Sequence, residues 1–343
     1  MLVSDYNYDL KEERIAKFPP KERGSTRLLV LKRKTGEITD SYYRNLDEFL
    51  NPGDVLILND TRVMQSRLFC KLPDGRKREL VVLEKHGEEK DRVMYRGKLH
   101  DGDTLSVEGN KIIIKTILGN GIAEVESEAP LTELAEKFGT VPLPPYLHRD
   151  ATEEDKKRYQ TVWAKRMGSA AAPTASLNMT EELLEKLRQK GVLIKYLTLH
   201  VGLGTFLPIR SDKVEEHHMH SEWFNIPDDT LSAIEQIKNQ RVMGTEGDPH
   251  GVNRVIAVGT TVARTLEYYA KTGKTSGEDD IFIYPGFEFQ IVDALVTNFH
   301  APKSTVLMLA AAFAGWDHLH NAYNHALAEK YNFLSYGDSM LIC

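Results

Sequence analysis

The chain has 343 residues, 41% of them hydrophobic and 27% charged, with a net charge of −6. This length is the prior for two globular domains, each large enough to bury its own core without staples. The two cysteines, Cys70 and Cys343, argue against a disulfide framework and for a reducing cytosol. The acidic balance leaves only local basic patches for any nucleic-acid contact.

The opening "MLVSDYNYDLKEERIAKF" alternates charged and apolar residues and resembles neither a signal nor a transit peptide. "RLLVLKR" and "EITDSYY" predict short strands about a Lys34-Thr35-Gly36 turn. "PGDVLILND" then gives the continuous apolar run of a strand buried on both faces. From Arg67 to Glu126 the texture changes to brief apolar runs ("ELVVLEK", "DRVMYRG", "DTLSVEG", "KIIIKTI", "GIAEVES") punctuated by Gly, Asp or Asn. That spacing predicts a small β-barrel or sandwich. We expect it to be an inserted domain, residues 67–140, closed by the stiff, proline-rich "TVPLPPYLHRD". Residues 1–66 and 141–343 then form an α/β body.

"GSAAAPTASLNMT" (residues 168–180) brings much bare backbone to one place. "TEELLEKLRQKG" follows as a helix with Thr180 as N-cap and Gly191 as stop. Beyond it, "VLIKYLTLHVG", "RVIAVG", "DIFIYPG", "IVDALVTNF" and "SMLI" predict strands. "PDDTLSAIEQIKN", "TTVARTLEYYAK", "STVLMLAAAFAG" and "WDHLHNAYNHALAEKY" predict helices between them. The alternation implies a mostly parallel sheet covered on both faces, a three-layer Rossmann-like α/β body. The longest apolar run, "VLMLAAAFAG", is about half a membrane span. "MGTEGDPHGVN" reads as a long polar loop.

Ligands in open α/β sheets bind at the carboxyl ends of strands, beside helix N-termini. Four stretches have that character. "NDTR" supplies Asp60 and Arg62, and "HVGLGTF" supplies His200, Gly202, Gly204 and Thr205. "GTT" offers Thr260, Thr261 and open backbone N–H groups to an anion such as a carboxylate, and "TNFHAPKST" offers Asn298, His300 and Lys303. Each alone fits a plain turn, bend or cap, or a satisfied buried histidine; together they point to one pocket. His217, His218 and His220 match no zinc-helix spacing and have no cysteine partner, so no metal site is expected. There is no G-x-S-x-G elbow, and the G-x-G of "HVGLGTF" lacks the third glycine of a dinucleotide fingerprint.

The motifs "PGDVLILNDTRV", "PLPPYL", "RYQTVWA", "GSAAAPTA", "LHVGLGTF", "HHMHSEWF", "VGTT", "FIYPGFEF", "DALVTNFHAPKST" and "FLSYGDSMLI" run in order from end to end. In that order they closely resemble the S-adenosylmethionine:tRNA ribosyltransferase-isomerases of queuosine biosynthesis. The resemblance implies an α/β body interrupted by a small β-barrel. It implies transfer of the ribosyl carbons of S-adenosylmethionine to 7-aminomethyl-7-deazaguanine at the wobble position of a tRNA anticodon loop, giving epoxyqueuosine-tRNA, adenine and methionine. S-adenosylmethionine is then a consumed substrate and no other cofactor is needed. The same resemblance suggests a cytoplasmic monomer.

It also points to His200 or Glu222 as the base and to Thr174 as a hydroxyl beside the substrate, in a loop whose bare backbone admits a base or sugar. Asp60, Arg62, Gly202, Gly204, Thr205, Thr260, Thr261, Arg264, Asn298, His300 and Lys303 would bind substrate, with Arg62, Arg264 and Lys303 holding the methionine carboxylate or tRNA phosphates. Between Ser66 and Lys115 twelve Lys and Arg face nine Asp and Glu, a mildly basic surface suited to phosphate.

The chain departs from the family's usual pattern at Gln65, Ser176, Asn178, Met179, Leu207 and Val262. Their concentration at pocket loops raises an alternative: a divergent paralogue that cleaves S-adenosylmethionine but uses a different acceptor, not necessarily tRNA. A non-enzymatic tRNA- or nucleotide-binding relic is a third reading.

Overall fold

The structure, a computed structural model, describes residues 1–83, 90–119, 121–202, 209, 211–243 and 253–343. Its elements in chain order begin with β1 (Arg27–Leu31), β2 (Ile38–Tyr42), β3 (Val55–Asn59) and β4 (Thr61–Val63). Six strands follow: β5 (Arg67–Lys71), β6 (Lys77–Val82), β7 (Arg92–Arg96), β8 (Thr104–Val107), β9 (Asn110–Gly119) and β10 (Ile122–Ser127). Then come α1 (Leu131–Phe138), α2 (Glu153–Arg158), β11 (Arg166–Ser169), α3 (Glu181–Gln189), β12 (Leu193–Leu199), β13 (Glu222–Asn225) and α4 (Asp228–Met243). The chain closes with β14 (Val255–Val258), α5 (Thr260–Thr272), β15 (Ser276–Asp279), β16 (Ala294–Asn298), α6 (Thr305–Ala314), α7 (Trp316–Ala328) and β17 (Ser339–Ile342).

Two compact units result, one of residues 1–61, 161–166 and 173–343, the other of 62–160 and 167–172. The first unit holds a nine-stranded sheet in the order β15-β13-β12-β3-β14-β16-β17-β1-β2. Its centre, β12-β3-β14-β16, is parallel; β13 and β17 join it antiparallel, β1 runs parallel to β17, and β15 and β2 add antiparallel edges. Every residue of β3, β14 and β16 is buried, as strands covered on both faces must be. Leu183, Leu184 and Leu187 of α3 fall on one helical face and pack into a core with Leu56, Leu58, Ile256 and Val258. Thr180 caps α3 by accepting the Leu183 N–H at 3.1 Å.

"DIFIYPG" is not a strand, contrary to the sequence expectation. The edge strand β15 ends at Asp279, and Ile281–Ile283 lie beyond the ladder, where their side chains line a pocket with α5 and α6. The polar "MGTEGDPHGVN" segment lies outside the described residues from 244 to 252.

In the second unit β10-β7-β6-β5-β8-β9 closes into an antiparallel barrel, which leaves no free edge. Inward alternation is clear: Leu68 and Cys70, Leu80 and Val82, Leu105 and Val107, Ile112 and Ile114 form one core. The helix α1, not anticipated from the sequence, adds Leu131, Leu134 and Ala135 to that core. Gly139 ends it, and a Cβ there would collide with the carbonyl oxygens of Gln65 and Ala135. We expect Gly139→Ala to cost about 1–3 kcal/mol by overpacking. Urea denaturation checks this; an unchanged midpoint would contradict the close approach. Cys70 and Cys343 are unpaired.

Candidate active site

Because β12, β3, β14 and β16 are parallel neighbours, the four stretches picked out in the sequence leave the sheet along one edge. Hydrogen bonds tie them together. The Asn59 amide donates to the Leu199 carbonyl at 2.9 Å, and its oxygen accepts the Leu199 and Thr61 N–H groups at 3.1 and 3.0 Å. The Asp60 carboxylate accepts the Thr198 hydroxyl at 2.6 Å. The Gly259 N–H donates to Val296 at 2.8 Å. Gly259 has φ +100°, a conformation that excludes most side chains, so it serves as N-cap of α5 without a capping side chain.

His200, 7% exposed, is held on two sides. Its Nδ1 lies 2.8 Å from the Thr61 hydroxyl, and its ring stacks on Trp223 with centroids 5.2 Å apart and planes 17° off parallel. Glu222 sits next to Trp223 on β13, and strand alternation turns it inward. Its carboxylate accepts the Gly202 N–H at 2.8 Å, contacts His220 Nε2 at 3.2 Å and pairs with Arg264. Burial raises the Glu222 pKa, but the Arg264 guanidinium, His220 and the Gly202 N–H outweigh it and hold the group down to about 2. Arg264 also reaches Asp279 at 3.3 Å through Nε. Burial pushes the Asp279 carboxyl up, and the Glu222 charge adds to this, against the opposing pull of Arg264. Two carboxylates therefore share one guanidinium, all three side chains buried.

The other sequence candidates divide. Thr260 is buried and Thr261 half-buried at the start of α5. Asn298 is buried, and its Nδ2 has no hydrogen-bond partner among the described residues. Thr174 is half-buried at the first turn after Pro173. Lys303 is exposed at φ +57°. Arg62 is exposed and belongs to the barrel-containing unit. Gly204, Thr205 and Leu207 lie outside the described residues.

His300 has its Nε2 2.7 Å from the Thr297 hydroxyl, its N–H on the Tyr323 hydroxyl at 2.9 Å and its carbonyl bonded by Tyr8. Desolvation lowers its pKa from 6.5 to about 3, so it is neutral and built into the fold. A base with a depressed folded pKa contributes stability above its unfolded value, lost as pH falls toward the folded one. We therefore expect the urea midpoint to fall as pH drops from about 6.5 toward 3, and His300→Gln to flatten that slope. An equal slope in the variant would contradict this environment.

The small-residue segment divides at the unit boundary. In the barrel-containing unit Ala170–Ala172 are buried, and Ser169 donates to the Ala171 carbonyl at 2.7 Å. In the α/β unit Ala175 and Met179 join the core. Tyr43 donates to the Ala175 carbonyl at 2.8 Å, Arg23 to the Leu177 carbonyl at 2.8 Å, and Asn178 to the Gly337 carbonyl at 3.1 Å. The small side chains thus let the protein's own groups reach this backbone. Asn178 and Met179, two of the unusual residues, make interior contacts of this kind.

Three participants were not named as catalytic or substrate-binding candidates: Thr61, although it lies in the "NDTR" stretch, His220, weighed only as a metal ligand, and Asp279. Among the described residues no group of three or more His, Cys, Asp or Glu could hold a metal, and no helix is long and apolar enough to cross a membrane.

An open α/β sheet whose parallel strands end in polar loops beside a buried ion cluster, in a chain that also carries a closed barrel, is the setting in which α/β enzymes bind their ligands. The chain belongs to the queuosine biosynthesis protein family, whose model matches residues 3–342. It is 55% identical to the S-adenosylmethionine:tRNA ribosyltransferase-isomerase of Pelodictyon phaeoclathratiforme and 45% identical to that of Halothermothrix orenii, each match covering all of both chains. The crystal structure of the S-adenosylmethionine tRNA ribosyltransferase of Thermotoga maritima superposes with a TM-score of 0.55 at 33% identity, covering 99% of this chain and 100% of that one.

Proposed function

We propose that this chain transfers and isomerises the ribosyl moiety of S-adenosylmethionine onto 7-aminomethyl-7-deazaguanine at the tRNA wobble position, as a cytoplasmic enzyme. The observation that carries this is identity of 55% over the complete length to a relative bearing that activity in its name. S-adenosylmethionine is consumed, and no further cofactor enters the steps. The alternative acceptor loses its motive where Asn178 and Met179 are explained by interior contacts.

A base takes the proton from the ribosyl carbon beside the sulfonium, whose charge stabilises the carbanion. Adenine leaves, the aminomethyl nitrogen adds to the opened sugar, and ring closure to the epoxide expels methionine. Of the two candidate bases we assign His200. The Glu222 carboxylate is engaged by three donors and held near 2, a weak base at neutral pH. His200 is oriented by Thr61 and Trp223 at the junction of β3 and β12. A wobble base lies in a loop and can be splayed out at low cost.

The test is chromatography of the products with and without tRNA carrying the aminomethyl base. Adenine and methionine should appear in equal amounts and only with that tRNA. S-adenosylhomocysteine in their place would overturn the proposal.

A further inference from the structure

The surplus of Lys and Arg between Ser66 and Lys115 is not spread evenly over the barrel. Around β9 and β10 the lysines are matched: Lys115 lies 2.9 Å from Glu126, Lys90 2.9 Å from Glu124 and Lys111 3.9 Å from Glu128. Across the ring, Lys71 and Lys77 instead stand directly opposite one another in the β5-β6 ladder. Both are exposed, and neither has an acidic partner among the described residues. Arg96 on β7 is also exposed and without an ion pair among the described residues. Glu79, opposite it, is engaged by Arg67 at 3.0 Å. Like charges at directly opposed positions, with Cβ atoms about 5 Å apart, destabilise a sheet. Lysines that guard against edge-to-edge aggregation sit on free edges, and a closed barrel has none.

An aromatic ring shares this face. β5 alternates, with Leu68 and Cys70 turned into the core and Phe69 47% exposed between them. Phe69 makes no ring contact among the described residues. Lys71 is the next outward residue on its own strand, and Glu79 is its partner across the ladder. Same-face residues lie about 6.7 Å apart along a strand and neighbouring strands about 4.8 Å apart, so the ring and the three cations form one small patch. Uncompensated cations attract a polyanion, and an open ring offers the stacking surface that every nucleobase matches. A duplex keeps its bases stacked inside, so the ring selects an unpaired strand.

We propose that the outer face of β5, β6 and β7 docks a single-stranded stretch of the tRNA. An unpaired base stacks on Phe69, and the flanking phosphates lie on Lys71, Lys77 and Arg96. This deepens the function proposed above and rests on it for the identity of the RNA. The barrel then holds the macromolecular substrate without taking part in the chemistry.

Fluorescence anisotropy with a labelled, unmodified anticodon stem-loop, titrated with the full chain at several salt concentrations, tests this. Phe69→Ala should weaken binding about tenfold, whereas Phe69→Tyr should keep it, as stacking requires. Replacing Lys71, Lys77 and Arg96 together by Gln should flatten the slope of log K against log salt by about 2, the loss of three single-strand phosphate contacts. Lys90→Gln with Lys115→Gln, which removes two lysines already paired, should leave affinity and slope nearly unchanged. Urea midpoints equal to that of the unaltered protein show that each variant is folded. No binding by the unaltered protein, an unchanged affinity in Phe69→Ala, an equal loss in the Lys90 and Lys115 control, or equal affinity for a blunt RNA duplex would overturn the docking face. Adenine release with tRNA carrying the aminomethyl base is scored separately, and the patch variants should raise KM for that tRNA while leaving kcat unchanged. If the unaltered enzyme releases adenine while the variants bind RNA as it does, the docking face alone is wrong. If the variants lose RNA while the unaltered enzyme releases no adenine, the RNA site stands and the functional reading falls.

Discussion

Replacing Arg264 by methionine is expected to destabilise the α/β unit by about 3–5 kcal/mol, because two buried carboxylates lose their shared counter-charge. Glu222 is 3% exposed, Asp279 0% and Arg264 5%, so water cannot take over. Breaking a buried ion group is costly even where the intact group adds little net stability. The triple replacement Arg264→Met, Glu222→Leu, Asp279→Leu should therefore recover most of the loss. Arg264→Lys should fall between, since an ammonium cannot reproduce the two-armed contact. Urea denaturation separates these cases. If Arg264→Met unfolded at the wild-type midpoint, the ion cluster would not be as the structure describes.

The second large effect is on rate. His200→Asn should lower kcat by about 10²–10⁴, the usual contribution of a positioned acid–base group, with little change in the affinity for S-adenosylmethionine. Thr61→Val keeps the imidazole but removes the hydroxyl on Nδ1, so it should lower kcat less and shift the pH–rate profile. A residue that only packed would leave that profile unmoved. Should His200→Asn retain the wild-type rate while Glu222→Gln abolishes it, the base is Glu222 and the Arg264 pairing must loosen during turnover.

Much of this was legible in the sequence, for physical reasons. Val55–Asn59 announces a doubly covered strand because no residue in its apolar stretch needs water. Thr180 and Gly191 mark the ends of α3 by their capping chemistry. The four strand-end stretches could be matched because parallel order brings strand ends together whatever lies between. What escaped was set by tertiary contact. Arg264 and Glu222 are 42 positions apart, and they meet because α5 packs against β12, whose neighbour β13 carries Glu222. The apolar Ile281–Ile283 imitates a strand, yet its side chains serve as a pocket wall. The small residues at 168–180 suggested backbone open to a base or sugar; Tyr43 and Arg23 bond the Ala175 and Leu177 carbonyls, and the Asn178 side chain bonds the Gly337 carbonyl, contacts that only the tertiary structure sets. His300, expected as a substrate contact, is half-buried and is bonded by Thr297, Tyr323 and Tyr8, partners that no local pattern announces.

The most direct measurement is mass spectrometry of the wobble nucleoside after incubation with S-adenosylmethionine labelled with carbon-13 in its ribosyl carbons. All the labelled ribosyl carbons should reach the aminomethyl base as an epoxide-bearing ring, with adenine and methionine released unlabelled. Unlabelled tRNA, or a labelled S-adenosylhomocysteine product, would contradict it.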